Sequence, residues 1–414
     1  MIKSKQMLAF GMVAMLGAAA CGSDDTLSDA GDAVSDAADD AGDAVSDAAD
    51  DAGDAVDDAA DDAGDMMDDD AMDGDAMMED GEGHSASPQV ELSTVGLTYD
   101  IGGRGDQSFN DSAAAGIERA ADELGISANE LVPNADGSNR AELLQLQADE
   151  AELVIGVGFL FADDVVAAAA DNPETLFAVI DDAMLDFDNG GVTRCEDGNC
   201  AGLTFAEEQG SFLVGAAAAL KSETGTIGFI GGVSGFGLIE KFEAGFQAGA
   251  QAVNPDIVIE AQYITAAPDF DGFFAPDRAK EIALTMYDGG ADIVYHAAGG
   301  SGAGLFEAAK EYSEANDSKV WGIGVDSDQY LTVDPAVQEY VLTSMLKRVD
   351  NAVFEITNAV NDGTFAGGNE VYDLSTDGVG YSTSGGYIDD ITAELEDFKA
   401  QIIDGTITVP TEPS

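Results

Sequence analysis

Basic side chains are scarce in this chain of 414 residues, which has 15 Lys and Arg against 82 Asp and Glu. The formal charge is −67, and the part from residue 88 onward, with 57 acidic and 13 basic residues, still carries −44. Such a surface repels phosphate groups, so we expect no nucleic acid partner and no attraction to an anionic membrane face. The same charge suits a high-salt habitat, in which ions screen the self-repulsion.

Residues that commonly catalyse reactions are also few. The chain has two histidines, His84 and His296, no serine in a G-x-S-x-G motif and no cluster of residues at metal-ligand spacing. Two glycine-rich segments, residues 228–237 and 297–304, lack both the Gly-Lys-Ser/Thr end of a phosphate-binding loop and the G-x-G-x-x-G spacing of a dinucleotide site. We therefore expect a binding protein rather than an enzyme, with no cofactor and no metal.

The N-terminus carries two lysines, then an uncharged apolar run from Met7 to Met15, and then small residues that end at Cys21. The apolar run is too short to span a bilayer permanently, and this order of features is typical of a secretory signal. The cysteine at its end resembles the lipobox of bacterial lipoproteins. We predict that residues 1–21 are a lipoprotein signal peptide, that Cys21 is acylated, and that lipid anchors the protein to the extracytoplasmic side of the cell membrane.

The other two cysteines, Cys195 and Cys200, frame a short segment that reads CEDGNC. Outside the cytoplasm, a cysteine pair around so small a turn favours a disulfide over a metal site, because two thiolates without neighbouring His or Cys form a poor ligand set. We predict a disulfide that fixes a loop.

An acidic segment of low complexity occupies residues 22–87, with 25 acidic residues and no Lys or Arg. Within it the unit DAGDAVSDAAD starts at Asp29 and repeats from Asp40 and, with one change, from Asp51. The charge and the low apolar content predict a disordered, self-repelling tether. The alanine spacing is also compatible with an amphipathic helix of eleven-residue period, although repeated glycines and like charges three and four residues apart oppose that interpretation.

Short apolar runs alternate with segments of helical period from residue 88 to the C-terminus. The predicted strands are residues 95–99, 153–157, 176–180, 226–230, 257–263, 293–295 and 320–325, and the predicted helices include residues 207–220, 238–252, 278–287 and 305–315. This alternation predicts an α/β fold, in which parallel sheets carry helices on both faces. The length indicates that the unit is built twice, as two doubly wound lobes.

Polar residues or glycines end the predicted strands abruptly. Asp100, Asp181 and Asp326 follow three of the strands. A pair of glycines, Gly299 and Gly300, follows a fourth. Because ligands bind at the carboxyl ends of the strands in doubly wound sheets, these positions predict a shared cleft.

Several ordered segments between residues 90 and 380 together resemble the basic membrane protein family of substrate-binding lipoproteins, whose best-known members are purine nucleoside receptors of ABC importers. The segments are GLTYDIGGRGDQSFNDSAAAGIERA, TLFAVIDD, GLTFAEEQGSFLVGAAAAL, GFIGGVSGFGLIEKFEAGFQAGAQAVNPDI, EIALTMYDGGADIVYHAAGGSGAG, GIGVDSDQ and VLTSMLKRVDNAV. The resemblance implies a type I periplasmic-binding-protein-like fold with two lobes joined by a hinge. It also implies an extracytoplasmic receptor that passes a nucleoside, expected to be a purine nucleoside, to an ABC permease.

The resemblance implies roles for matching side chains. Phe109 of the SFN motif would stack on the base, with Asn110 beside it as a hydrogen-bonding amide. Asp181 and Asp326 resemble ligand-binding carboxylates of the family, with Asp326 on the ribose hydroxyls, and Lys347 resembles the ribose-side cation. The competing interpretation is that Asp326 and Lys347 form a structural pair that holds the lobes together.

Four further residues are predicted to complete the ligand shell. They are Asp100, Gly299, Gly300 and Tyr295, the last as the stacking face opposite Phe109. In the loop before the SFN motif the chain departs from the commonest family pattern, because Arg104 and Gln107 lie where acidic and lysine residues are frequent.

We place the first lobe at residues 88–207, completed by part of 320–350. The second lobe is placed at residues 208–319, completed by part of 350–414. Two other functions stay open at this point. One is a binding protein for another small polar ligand, such as a sugar or a signalling molecule, and the other is a ligand-binding sensor coupled to a membrane kinase.

Overall fold

The computed structural model describes residues 88–187, 190–195 and 198–414. The predicted signal peptide, the acidic tether and Cys21 lie outside the described residues. Within the described ranges, no helix has both the length and the apolar character needed to cross a membrane.

Two mainly parallel sheets, against which the helices pack, form the described part of the chain. The strands are β1 (Thr94–Thr98), β2 (Ser127–Leu131), β3 (Leu153–Gly156), β4 (Leu176–Ile180), β5 (Leu185–Asp186), β6 (Val192–Thr193), β7 (Cys200–Phe205), β8 (Thr226–Ser234), β9 (Val258–Ala266), β10 (Ile293–Ala297), β11 (Trp321–Asp326), β12 (Val341–Lys347), β13 (Gly368–Tyr372) and β14 (Val379–Tyr381). The α-helices are α1 (Phe109–Leu124), α2 (Arg140–Ala148), α3 (Ala162–Asp171), α4 (Glu207–Lys221), α5 (Leu238–Val253), α6 (Pro276–Asp288), α7 (Ala303–Asn316), α8 (Gln329–Thr332), α9 (Val349–Asn361) and α10 (Thr392–Ile403).

The two sheets have equivalent strand orders. The first reads β13-β7-β4-β3-β1-β2 and its strand pairs are parallel. The second reads β14-β12-β11-β10-β8-β9 and is parallel except for β14. Central strands such as β4, with the sequence LFAVI, are buried along their whole length, as expected where helices cover both faces. The predicted α/β fold, a doubly wound sheet built twice, is confirmed.

The chain crosses between the two lobes three times. It leaves the first sheet after β7, returns after β12 to form α9 and β13, and leaves again before β14. The predicted lobe boundaries need a correction, because residues 321–347 form β11 and β12 of the second sheet, and residues 349–372 complete the first lobe instead. The physical reason is that β11 pairs in parallel with β10, directly after the helix that connects them.

The third crossing segment is hydrogen-bonded to the other two. The amide of Ala206 donates to the carbonyl oxygen of Tyr372 at 2.9 Å, and the amide of Arg348 donates to that of Gly378 at 2.9 Å. Short connections that lie side by side between two packed sheets form a hinge, because a few backbone rotations there move one lobe as a body.

Cys195 and Cys200 form the predicted disulfide, with their Cα atoms 5.9 Å apart. Cys200 begins β7, and Cys195 follows the short hairpin of β5 and β6. Both cysteines are buried in the apolar core of the first lobe. The bond therefore ties the hairpin to an interior strand of the sheet.

Helices α4 and α5 pack in close contact because glycines of α5 face the backbone of α4. A Cβ atom placed on Gly245 would lie 2.1 Å from the carbonyl oxygen of Glu208, and one placed on Gly249 would lie 1.9 Å from that of Phe212. Interiors packed this densely leave no room for an added methyl group. The approach of the two helices therefore depends on these glycines.

Gly249→Ala is expected to lower the free energy of unfolding by at least about 1–3 kcal/mol, the usual cost of overpacking. Helix propensity alone would favour alanine by about 1 kcal/mol, so the sign of the effect distinguishes the two contributions. Urea unfolding of the full chain measures it. Gly380→Ala is the matched control, because a Cβ there meets no atom within 4 Å. Equal midpoints for Gly249→Ala and the wild type would contradict the predicted clash.

Candidate functional site

A cleft between the lobes lies at the carboxyl ends of strands from both sheets, as doubly wound topology predicts. Eight of the nine predicted ligand-binding residues line it, namely Asp100, Phe109, Asn110, Asp181, Gly299, Gly300, Asp326 and Lys347. The free space in the cleft is about 70 Å³. Pockets that hold small molecules have volumes of roughly 300–1,000 Å³, so the lobes must separate to admit a ligand.

Asp106 organises the first-lobe wall of the cleft. Its carboxylate accepts the backbone N–H groups of Ser108 at 3.0 Å, Asn110 at 2.8 Å and Asp111 at 3.1 Å. These bonds satisfy donors that the first turn of α1 leaves free, and the negative charge is favourable at a helix N-terminus. Phe109 and Asn110 are the first two residues of that helix, so the cap fixes where both side chains enter the cleft.

Asp100 lies just after β1, beside the start of α1. Its Oδ1 accepts the N–H of Ile101 at 2.7 Å, and its own N–H donates to Oδ1 of Asn110 at 3.0 Å. Burial raises the pKa of Asp100 to about 6, although the Ile101 N–H and the Arg140 guanidinium, 3.8 Å away, both oppose the rise. Asp100 is therefore an acceptor at neutral pH that gains a proton under mildly acidic conditions.

Lys347 is a buried cation of the cleft. Its side chain is 2% exposed, and its Nζ lies 2.6 Å from Oδ1 of Asp181 and 3.2 Å from Oε1 of Glu207. The ring centres of Phe109 and Phe205 lie 5.2 and 5.0 Å from Nζ, within the range of cation–π attraction. Burial alone would lower the pKa of Lys347, but the neighbouring carboxylates outweigh it and the pKa is raised. Lys347 therefore stays charged although water does not reach it.

Asp326 ends β11 and has left-handed backbone geometry, with a φ of 63°. Its side chain is buried, and the hydroxyl of Ser108 in the first lobe donates to its Oδ2 at 2.5 Å. Burial raises the pKa of Asp326 to about 7. Lys347 and the Ser108 hydroxyl lower it, whereas the charges of Asp106 and Asp181 raise it. This carboxylate therefore changes charge close to neutral pH.

Tyr295 does not line the cleft, so its predicted position as a stacking face is wrong. Its side chain is fully buried in the second lobe, with ring centres 5.6 Å from Phe229 and 5.2 Å from Phe246, and its hydroxyl lies 3.2 Å from Oγ of Ser211. Side chains alternate along β10, and the next residue, His296, is also fully buried. The middle of β10 is part of the buried interior of the second lobe, and only the end of the strand reaches the cleft.

Aromatic rings that sequence analysis missed complete the walls. Phe242 of α5 and both Phe273 and Phe274, in the segment after β9, line the cleft from the second lobe. Phe159, which follows β3, lines it from the first lobe and stacks on Phe236 of the second, with ring centres 4.7 Å apart. For Phe159, Phe273 and Phe274 the available signal was their position in the connections that follow β3 and β9, whereas Phe242 lies within α5 and carried no such signal.

The chemistry of the cleft is that of binding. Its polar groups are carboxylates, an amide, backbone N–H groups and one ammonium, and its apolar groups are aromatic rings. In the part of the chain that the structure describes, no three or more His, Cys, Asp or Glu side chains are arranged to hold a metal ion. Rings stack on flat molecules, and ionised carboxylates accept hydrogen bonds from hydroxyl groups.

Two doubly wound lobes on a three-segment hinge, with a polar and aromatic cleft between their strand ends, define a two-lobed solute-binding protein. Residues 93–412 match the Bmp family, described as ABC transporter substrate-binding proteins of the PnrA-like type. The chain belongs to this family, whose members bind solutes for ABC transporters rather than catalyse reactions. Basic membrane proteins act on the extracytoplasmic side of the membrane.

Relatives of known name agree with this assignment. The ABC transporter nucleoside-binding protein BmpA of Lactococcus lactis is 34% identical over 346 residues, which cover 80% of this chain and 92% of that protein. Basic membrane protein A of Borreliella burgdorferi is 34% identical over 333 residues, 79% of this chain and 89% of that protein. A solute-binding protein of an ABC transporter system from Aeropyrum pernix matches in structure with a TM-score of 0.65 and 27% identity, over 78% of this chain and 94% of that one.

Asp326→Asn is expected to stabilise the protein at pH 8. The pKa of Asp326 is about 7 in the folded state and near 3.8 in the unfolded chain, so folding takes up a proton between these values and stability falls as pH rises through that window. Removing the charge should raise the free energy of unfolding by about 1–3 kcal/mol at pH 8 and by little at pH 4. Asparagine also tolerates the left-handed backbone.

Urea unfolding at both pH values and constant ionic strength measures this difference. Asp317→Asn is the matched control, because Asp317 has the same left-handed geometry, with a φ of 49°, at an exposed position. A variant at Asp326 that is less stable than the wild type at pH 8 would show that its pairing outweighs its burial.

Proposed function

We propose that this protein is a lipid-anchored extracytoplasmic receptor that binds a nucleoside, with a purine as the expected base, and delivers it to an ABC permease. The observation that carries the proposal is that the cleft has an aromatic ring on one element and a carboxylate and a cation on others. A stacking ring lies at the start of α1, whereas a carboxylate and a buried cation lie at the ends of β11 and β12. A nucleoside is divided in the same way, into a flat base and a sugar with a diol. The nucleoside-binding relative from Lactococcus lactis supports the same class of ligand.

The ribose is assigned to Asp326 and Lys347. An ionised carboxylate accepts two hydroxyl groups of a diol. The ammonium of Lys347 has three N–H donors and is held by ion pairs with the carboxylates of Asp181 and Glu207. We assign one of these N–H groups to a ribose oxygen. This arrangement combines the structural and the ligand-binding interpretations of Lys347, since its ion pairs hold it charged and fixed in the cleft.

The base is assigned to Phe109 on one face. Phe273 and Phe274, rather than Tyr295, supply rings from the second lobe for the other face. Asn110 uses its carbonyl oxygen to accept the N–H of Asp100, which leaves its NH₂ group to donate to a ring nitrogen. The carboxylate of Asp100 is placed to accept an N–H from the edge of the base.

Phosphorylated ligands are expected to bind poorly. Asp100, Asp181 and Asp326 line the same cleft, and Lys347 is already paired. A phosphate group would place further negative charge beside these carboxylates in a site of low dielectric constant. The site therefore discriminates against nucleotides by repulsion, without a separate device.

Adenosine is expected to stabilise the protein and AMP to bind much more weakly. At 100 times its Kd, a ligand adds about 2.7 kcal/mol to the free energy of unfolding, which thermal denaturation detects. By calorimetry, Phe109→Ala should weaken adenosine binding by about 1–3 kcal/mol, the usual range for stacking on a base, and Asp326→Ala should abolish most of it. Phe187→Ala is the control, because Phe187 is 73% exposed and lies outside the cleft.

Equal affinity for adenosine and AMP would contradict the assignment of the carboxylates. The same thermal screen should include sugars and free bases. Stabilisation by a sugar but by no nucleoside would replace the proposed ligand and leave the receptor class unchanged.

The anchor is a separate part of the proposal. If Cys21 carries lipid, Cys21→Ser protein should lose the acyl anchor and move from the membrane fraction to the soluble fraction. Its affinity for adenosine should equal that of the wild type, since the cleft lies far along the chain. Ser23→Ala serves as a neighbouring control. Membrane sedimentation of Cys21→Ser protein would refute the anchor without affecting the ligand assignment.

A further inference from the structure

The loop before α1 makes hydrogen bonds to the second lobe through the dipeptide Gln107 and Ser108. The carbonyl oxygen of Gln107 accepts from Nε2 of Gln329 at 3.1 Å and from the hydroxyl of Thr332 at 3.4 Å. The carbonyl oxygen of Ser108 accepts from the hydroxyl of Ser327 at 2.9 Å. These three bonds use only the backbone of the loop.

A fourth hydrogen bond from this dipeptide uses a side chain instead of the backbone. The hydroxyl of Ser108 donates to Oδ2 of Asp326 at 2.5 Å and lies 3.4 Å from the carbonyl oxygen of Val325. Ser108 is fully buried, so water does not compete for the hydroxyl. Ser108 belongs to the first lobe and Asp326 to the second, and the bond can therefore exist only while the lobes are together.

We propose that Ser108 is a positioning residue that couples closure of the lobes to ligand binding by orienting the carboxylate of Asp326. The inference rests on the proposed function, in which Asp326 is the carboxylate that accepts the sugar hydroxyls. A donor fixed on Oδ2 sets the plane of the carboxylate and leaves Oδ1 to the ligand. Binding groups that are oriented before contact cost less to order, so the closed receptor gains affinity without a further contact to the ligand.

The bond also sets the charge of Asp326. Lys347 favours the ionised carboxylate, whereas Asp106 and Asp181 disfavour it. A hydrogen bond from the Ser108 hydroxyl to the ionised form favours it further and lowers the pKa. When the lobes separate, the pKa of Asp326 falls, because the burial that raises it most and the charges of Asp106 and Asp181 are removed together with this donor. In the closed cleft, where this pKa is about 7 and the Ser108 bond lowers it, a ligand that needs the ionised form displaces a proton, and the affinity falls as pH decreases below about 7.

The affinity of the full chain for adenosine, measured by calorimetry from pH 5.5 to 8.5, tests the positioning role. Ser108→Ala should weaken binding about 10- to 100-fold at pH 8, the range for a lost hydrogen bond to a charged group. The decline of affinity on acidification should also begin at a higher pH than in the wild type. Ser108→Thr retains the hydroxyl and should restore the pH profile.

Ser327→Ala is the matched control. Ser327 bonds the same dipeptide across the same boundary but donates to the backbone of Ser108 and not to Asp326. Its loss should weaken binding less and leave the pH profile unchanged. If Ser327→Ala shifts the profile as Ser108→Ala does, the effect is one of lobe contact in general, and the positioning role is refuted.

A double-mutant cycle in the absence of ligand keeps this inference separate from the proposed function. The urea midpoints of Ser108→Ala, Asp326→Ala and the double variant at pH 8 should be non-additive, because alanine at either position removes the one bond that the two residues share. Additive midpoints would overturn the contact itself. Coupled midpoints with unchanged adenosine affinity in Ser108→Ala would overturn the positioning role. If the midpoints are non-additive but the wild type binds no nucleoside, the proposed ligand is wrong and the coupling of Ser108 to Asp326 stands.

Discussion

A buried ammonium group, Lys347, imposes the constraint on which the two-lobed structure depends. It ends a strand of the second sheet, yet one of its partners, Asp181, follows a strand of the first sheet, and the other, Glu207, lies where the chain first crosses between the lobes. Removing one partner of such a pair leaves a buried charge uncompensated, at a typical cost of about 3–5 kcal/mol. The sheets, the hinge and the cleft are therefore arranged around one cation.

Two carboxylates of the cleft, Asp326 and Asp100, lower the free energy of unfolding. Asp326 combines a left-handed backbone with a carboxylate whose pKa burial raises to about 7, and Asp100 has a pKa raised to about 6. Each carboxylate is less favourable in the folded protein than in water, and the packed sheets supply the free energy that keeps it there. A ligand with hydroxyl donors relieves part of this cost, so the groups that destabilise the empty cleft are those that favour its occupation.

The sequence predicted the strand ends better than the connections between them. Asp100, Asp181 and Asp326 were predictable because a carboxylate that ends an apolar run marks the carboxyl edge of a sheet. Tyr295 was misplaced because the alternation along a strand buried on both faces does not show where the strand leaves the core. The change of lobe after β12 was missed for a related reason. The strand ends in Lys347, and only tertiary contacts with two carboxylates distant in sequence make that lysine compatible with burial.

Two kinds of contact cross the cleft, aromatic packing and hydrogen bonding, and they contribute differently to closure of the lobes. Near Phe159 and Phe236 rings stack, and a Cβ on Gly102 would lie 2.1 Å from Cε1 of Phe274, so an aromatic ring of the second lobe packs directly on the backbone of the first. Such contacts depend on buried area and tolerate small displacements. The polar contact between Ser108 and Asp326 depends on direction and distance. Aromatic packing therefore tolerates small differences in lobe position, whereas the hydrogen bond of Ser108 forms only when the lobes are close and the carboxylate of Asp326 has one orientation.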